Sequence, residues 1–254
     1  EPKPDQSVKD GQVIDDLVTT DLSQNIEKKE EPKQKNISKK REKTMKRIFA
    51  IALCVGCIFF GSCAENSMTN WISSFMENAL QLPKALGDIL GLAVFALLLA
   101  VTRGVYAKFT PNITKTLLAG MIGAAICYVV IGISGNVILS FIACILVGIF
   151  SSMLWPGTLI MMEEKVKGVG VAAYALMASA GDFGASFAPQ LMGIVIDNVS
   201  ISQFAVNLSS TLNLSPEQIG LKVGMLITSI FPILGAVLML FIIKYFKKNK
   251  SQEN

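Results

Sequence analysis

Residues 45–75, MKRIFAIALCVGCIFFGSCAENSMTNWISSF, decide the fold of this chain. The stretch is long enough to cross the roughly 30 Å hydrocarbon core of a bilayer as a helix, which takes about 20 mainly apolar residues. Glu65 lies inside it. An ionisable side chain at membrane depth is costly, so by default it marks a path for a solute, an ion or a proton.

Five more apolar stretches follow, at residues 86–107, 114–134, 137–162, 169–197 and 221–245. Hydrophobic residues make up 52% of the 254-residue chain and charged residues 17%, and charge is scarce inside the six stretches. The pattern predicts an all-α, polytopic membrane protein with six spans. The net charge of +4 does not indicate nucleic-acid binding, because 12 of the 23 basic residues lie between Lys3 and Arg47, outside the spans.

The positions of Lys and Arg predict the orientation of the spans, because cytoplasmic loops are enriched in these residues. With six crossings, 21 of the 23 basic residues fall on the side of the N-terminus, and only Lys84 and Lys222 fall on the other. We therefore expect a multi-pass protein of the cell membrane, such as a bacterial inner membrane, with both termini in the cytoplasm.

The segments outside the spans differ in composition. Residues 1–44 are rich in Lys, Glu, Asp, Gln and Ser, which predicts a disordered cytoplasmic linker. Residues 249–254 are predicted to form a cytoplasmic tail. Because the chain begins at Glu1, we expect that its true N-terminus is missing. Residues 197–221 are expected to form a long external loop, in which Ser215 and Pro216 begin a helix as N-cap and first helical residue.

A polar stripe runs along the outer half of the first span. Its members recur at steps of three and four, which places them on one helix face: Ser62, Glu65, Asn66, Thr69, Asn70, Ser73 and Glu77. Such a stripe suits a cavity that binds a hydroxylated or otherwise polar solute. Desolvation favours the neutral form of Glu65, so this acid can carry a proton. The alternative is that the stripe only holds helices together.

Two later spans contribute further candidates. Trp155 precedes Pro156 and Gly157, which predict a bend in the fourth span, and its indole can border a binding site or simply pack. Asp182 lies near the middle of the fifth span between Gly181 and Gly184, which permit close helix approach. It can bind solute, carry a proton or form a structural hydrogen bond.

A set of charges is expected at the cytoplasmic ends of the spans. Arg103 is predicted to end the second span and to pair with Glu163 or Glu164 at the end of the fourth. Such a pair would act as a gating latch. The alternative is that the three residues are independent solvated charges. Asp88 is expected to be an N-cap at the start of the second span.

Neither an enzyme nor a metal site is predicted. An intramembrane aspartyl protease needs two aspartates that share a site, and Asp182 has no such partner, since Asp88 belongs at a helix end. The five cysteines lie inside apolar stretches and the chain has no histidine, so Cys54 and Cys57 are expected to serve packing. We expect no cofactor.

At these motifs the chain resembles a known family. The region from residue 45 to residue 248 resembles the C-terminal six-helix half of a major facilitator superfamily transporter, and within it the fucose-permease-like branch of sugar and small-solute transporters. The resemblance is carried in particular by residues 61–71, 102–109, 152–157 and 180–184. The arginine-rich motif that this superfamily carries after the second helix of each half is degenerate here, with Arg103 and Lys108 remaining. Similar sugar porters carry a tryptophan and a following glutamate on the corresponding fourth helix, which Trp155 and Glu163 or Glu164 match.

The resemblance implies alternating access, with solute bound between two six-helix halves. The partners would be a small polar solute, protons, the lipid bilayer and an N-terminal six-helix half, which we expect to be missing from this sequence. The expected function is proton-coupled symport of a small polar solute, such as a sugar. The alternatives are a facilitator or multidrug exporter of the same fold, or a membrane scaffold or sensor without flux.

Overall fold

The computed structural model describes residues 7–109 and 111–253. They form α1 (Ser7–Ser74), α2 (Lys84–Leu86), α3 (Val94–Phe109), α4 (Ile113–Ile133), α5 (Val137–Ser151), α6 (Leu154–Lys165), α7 (Val171–Ser200), α8 (Gln203–Leu212), α9 (Pro216–Thr228) and α10 (Ile230–Glu253). π-Helical segments occur at Phe75–Ala79 and Gly87–Ala93. The described residues contain no strand, in agreement with the all-α prediction.

The helices combine into membrane spans. Five stretches are long and apolar enough to cross a bilayer: Arg41–Ala79, Lys84–Phe109, Ile113–Ile133, Val137–Lys165 and Pro216–Lys247. The bent pair of α7 and α8, which meet at 75°, supplies a sixth if it counts as one span. Each predicted apolar stretch coincides with one of these, numbered first to sixth along the chain, which confirms the prediction of a polytopic membrane protein.

The chain divides into two compact units between Phe49 and Ala50. The packed bundle belongs to the unit that begins at Ala50. The helix α1 begins at Ser7. The linker predicted for residues 1–44 and the tail predicted for residues 249–254 stay predictions.

Hydrogen bonds from two aromatic side chains join helix α1 to α4 and α7. The hydroxyl of Tyr128 on α4, a fully buried residue, donates to the carbonyl of Ala64 at 2.7 Å. The indole of Trp71 donates to the carbonyl of Pro189 on α7 at 3.1 Å. Because membrane helices gain little from hydrophobic burial against each other, such bonds and close packing hold them together.

The cysteines are part of the apolar packing. All five are buried and free, and Cys57 Sγ on α1 lies 3.3 Å from Met239 Sδ on α10. The same thiol lies 3.7 Å from the hydroxyl of Thr158 on α6. The predicted packing role of Cys57 therefore corresponds to direct contacts between the first, fourth and sixth spans.

The predicted loop at residues 197–221 is mostly helical, so the loop prediction was wrong. Helix α7 continues to Ser200, α8 follows, and Asn213 ends α8 in the left-handed region at φ 53°. The predicted helix start is confirmed: the Ser215 side chain accepts from the backbone N–H of Gln218, and the Gln218 side chain accepts from that of Ser215. The extra helix α8 is bounded by a polar cap at each end, Ser202 and Asn213.

The prediction that Asp88 caps a helix was also wrong. The second span begins earlier, at Lys84, and Asp88 lies inside the π-helical segment that follows. Its carboxylate accepts a hydrogen bond from the hydroxyl of Ser73 on α1. Asp88 therefore joins the first and second spans.

Candidate functional site

The site is centred on an ion pair between the first and second spans. Arg103 on α3 places one terminal guanidinium nitrogen 3.0 Å from Oε1 of Glu65 on α1. The Glu65 side chain is 15% exposed and that of Arg103 is 41% exposed. Since an isolated charge is costly at membrane depth, each residue neutralises the other.

A second bond of Arg103 reaches the fourth span. Its Nε donates to the backbone carbonyl of Ser152 at 2.8 Å. In an α-helix that carbonyl would accept the N–H of residue 156, four positions later, but residue 156 is proline and has no N–H. The helix of the fourth span is interrupted at this point, because α5 ends at Ser151 and α6 begins at Leu154. The side chain of Arg103 thus supplies the donor that the proline removes.

The polar groups border a pocket of about 270 Å³. Its lining residues come from four spans: Ser62, Glu65 and Asn66, then Arg103, then Trp155, then Asp182 and Ala185. The second carboxylate oxygen of Glu65, Oε2, is buried and has no hydrogen-bond partner among the described residues. This oxygen therefore keeps its capacity to accept a hydrogen bond or a proton.

Glycines let α7 approach the pocket closely. A Cβ at Gly181 would lie 2.4 Å from Nε1 of Trp155, and a Cβ at Gly184 would lie 2.6 Å from the carbonyl oxygen of Phe59. Both distances are shorter than a carbon atom tolerates, so a larger residue at Gly181 would displace the Trp155 side chain and one at Gly184 would displace the backbone of α1. This packing holds Asp182 and Trp155 at the same pocket.

The structure brings together most of the residues predicted to form a site. Glu65, Asn66, Trp155 and Asp182 line one pocket, and Asn66 is held by hydrogen bonds from its amide to the backbone and side chain of Ser62. Asn70 is exposed, its amide donates to the carbonyl of Asn66, and it does not line the pocket.

The predicted latch between Arg103 and the glutamates of α6 was wrong. Glu163 and Glu164 are exposed, and neither forms an ion pair with Arg103. The physical reason is depth: Arg103 precedes the end of α3 at Phe109 by six residues, or about 9 Å along the helix axis. Its long side chain extends from there to Glu65 and the free carbonyl of Ser152.

Reasoning from the sequence missed this pairing, although two features pointed to it. Glu65 needed a basic partner at membrane depth, and Arg103 is the basic residue placed well inside the second span. Pro156 also marked a carbonyl without a helical donor. Only the packing of the first, second and fourth spans shows that these two requirements are met by one side chain.

A second crevice, of about 530 Å³, lies between α7 and α9 and contains none of the predicted site residues. It is lined by Ile196, Asp197, Asn198, Ser200, Ile201 and Glu217. Its acids are near helix ends, where water screens charge, so it is a weaker candidate for a transport site than the pocket around Glu65.

Comparison with known proteins identifies the family. No curated protein and no solved structure gave a significant match. The family model described as Major Facilitator Superfamily matches residues 17–189, which is more than half of the chain. Its members are transporters, and the helical bundle with a polar pocket at depth agrees with that assignment. The chain belongs to the Major Facilitator Superfamily.

Proposed function

We propose that this protein is a proton-coupled secondary transporter of a small polar solute, with Glu65 as the acid that carries the proton. The observation that supports this most strongly is the position of Glu65: its carboxylate is largely buried, pairs with Arg103 and retains one oxygen without a partner in the described structure. A fixed structural ion pair would gain from hydrogen bonds to both oxygens.

Proton coupling follows from two opposing influences on Glu65. Burial favours the neutral acid, whereas Arg103 at 3.0 Å favours the carboxylate. A proton and the guanidinium therefore compete for the same group. When the proton binds, Arg103 loses an attraction and is released to interact with solute or solvent.

The remaining pocket residues suit a polar solute. The hydroxyl of Ser62 and the amide of Asn66 offer donors and acceptors, and Asp182 offers a carboxylate. Trp155 provides an aromatic surface on which a sugar ring can stack. These groups agree with the sugar and small-solute branch that the sequence resembles, and we propose a solute of that class.

We also propose that the chain forms the C-terminal half of a transporter, that a further six-helix half completes the site, and that both termini lie in the cytoplasm. The basic residues at the span ends support this orientation. A facilitator or an exporter of the same fold is the second candidate, because the aromatic surface of Trp155 in the pocket also suits apolar solutes. Coupling to protons distinguishes the two.

The test is transport by the Glu65→Gln variant of the intact transporter in proteoliposomes, with radiolabelled fucose as the first probe, followed by other monosaccharides. The amide preserves the shape of the side chain but cannot bind and release a proton. We expect accumulation against a gradient to be lost, while exchange of labelled for unlabelled solute continues. Glu163→Gln, which neutralises an exposed carboxylate on α6, should accumulate solute as the parent protein does.

Accumulation that survives Glu65→Gln with unchanged pH dependence would refute the assignment of Glu65 as the coupling acid. Uptake of solute by the parent protein without any proton movement would favour the facilitator. Failure to transport any monosaccharide would reject the sugar class, and would leave the proton test to be repeated with amino acids and polyols.

A further inference from the structure

The break in the fourth span and the ion pair of the pocket share one side chain. The carbonyl of Ser152 lacks a helical donor because residue 156 is proline. The next bond of the ladder is present, since the N–H of Gly157 donates to the carbonyl of Met153 at 2.8 Å. The ladder of α6 therefore begins at Met153, one residue after the Ser152 carbonyl, and Arg103 Nε donates to that carbonyl at 2.8 Å.

The two bonds of Arg103 fix its orientation. The guanidinium is a rigid planar fork, so donation from Nε to Ser152 determines where the terminal nitrogens point. One of them lies 3.0 Å from Glu65 Oε1. A lysine at this position would bring the same charge but could not hold both partners in a fixed geometry.

We propose that Pro156 and Arg103 act as positioning residues for Glu65: the proline exposes the Ser152 carbonyl, and this carbonyl orients Arg103 against the carboxylate. The charge state of Glu65 is thereby linked to the break in the fourth span. This inference rests on the proposed role of Glu65 as the proton carrier. Loss of the ion pair frees Arg103, and the link between the second and fourth spans is then weakened.

Few other charges act on Glu65 in this structure. Asp182 on α7 lines the same pocket, while α6 contributes the uncharged Trp155. Helix α4 meets α1 one residue away, where the Tyr128 hydroxyl donates to the Ala64 carbonyl. Of the charged groups that line the pocket with Glu65, Arg103 is therefore the one in contact with its carboxylate.

A substitution of the proline separates orientation from charge. Pro156→Ala supplies an N–H that competes with Arg103 for the Ser152 carbonyl, while every charge in the pocket stays in place. Arg103 then has one fixed partner rather than two, and its hold on the carboxylate weakens. We expect Glu65 to take up its proton at a pH about one unit higher, a tenfold change in its proton affinity.

The experiment is an infrared titration of the full chain in lipid nanodiscs, with the proton itself as the ligand. The carbonyl stretch of a protonated carboxylic acid is followed against pH, and the band that disappears in Glu65→Gln is assigned to Glu65. Pro156→Ala and Arg103→Lys should both move the midpoint of this band to higher pH. Pro232→Ala, a matched proline in the sixth span away from the pocket, should leave the midpoint unchanged.

The outcomes separate this inference from the proposed function. A midpoint in Pro156→Ala equal to that of the parent protein would overturn the role of the proline. A parental midpoint in Arg103→Lys would show that charge alone matters, and would overturn the role of orientation. If Pro156→Ala fails to fold, Arg103→Lys decides the question. Because no transport is measured, Glu65 can fail as the coupling acid while its band still shifts as expected.

Discussion

Removing either member of the Glu65–Arg103 pair should destabilise the bundle more than removing both. Glu65→Gln leaves Arg103 without its counter-charge, and Arg103→Gln leaves a carboxylate that is 15% exposed without a cation. The double variant leaves neither charge. The free energies of unfolding of the four proteins form a double-mutant cycle, which isolates the coupling between the two residues.

The distance and the exposure set the size of this coupling. Two unit charges 3.0 Å apart attract by about 5 to 6 kcal/mol at an effective dielectric constant of about 20. Water reaches Arg103, whose side chain is 41% exposed, and desolvation of Glu65 offsets much of the attraction. We therefore expect a net coupling of about 1 to 2 kcal/mol.

The assay is reversible unfolding with SDS in mixed micelles, at neutral pH. The chain offers a matched control in the exposed pair Glu42–Lys46, which lies at 2.7 Å with side chains 61% and 51% exposed. We expect a smaller coupling there, because water screens an exposed pair. A coupling at Glu65–Arg103 no larger than that of the control would refute the view that this pair is held at membrane depth.

Two further predictions concern the packing around the site. Gly184→Ala should lower the free energy of unfolding by about 1 to 3 kcal/mol, because its Cβ would lie 2.6 Å from the carbonyl oxygen of Phe59. Gly104→Ala is the control and should not lower it, because no atom lies within 4 Å of that Cβ. Equal effects of the two substitutions would contradict the close approach of α7 to α1. Tyr128→Phe removes the hydroxyl that donates to the Ala64 carbonyl at 2.7 Å, and it should lower the free energy of unfolding by about 0.6 kcal/mol in the same assay. An unchanged free energy of unfolding would show that this bond contributes nothing.

Much of the fold followed from local patterns. Each apolar stretch is long enough to satisfy its own backbone hydrogen bonds in lipid, so hydropathy alone located the spans. The start of α9 was equally local, because Ser215 and Gln218 cap each other's backbone within one turn. The extra helix α8 was missed because it has only 10 residues and lies in a stretch rich in Ser, Thr and Asn, and its caps at Ser202 and Asn213 were not recognised.

The site was predictable only in part. The spacing of Ser62, Glu65 and Asn66 on one helix face identified the polar side of α1, and the glycines around Asp182 indicated a close contact of α7. The partner of Glu65 was not predictable in the same way. Arg103 is 38 positions away in the chain, and its assignment to a cytoplasmic latch assumed that a basic residue near a span end points towards water.

The sequence by itself determined that this chain is a polytopic helical membrane protein with an acid at depth, because span length and the cost of a buried charge depend only on residue type and order. Only the tertiary structure decided which groups that acid contacts. Helix packing brings Arg103 within 3.0 Å of Glu65 and within 2.8 Å of the Ser152 carbonyl, which is available because residue 156 is proline. Which donor meets which acceptor depends on the relative depth and rotation of three spans, and no local pattern encodes that.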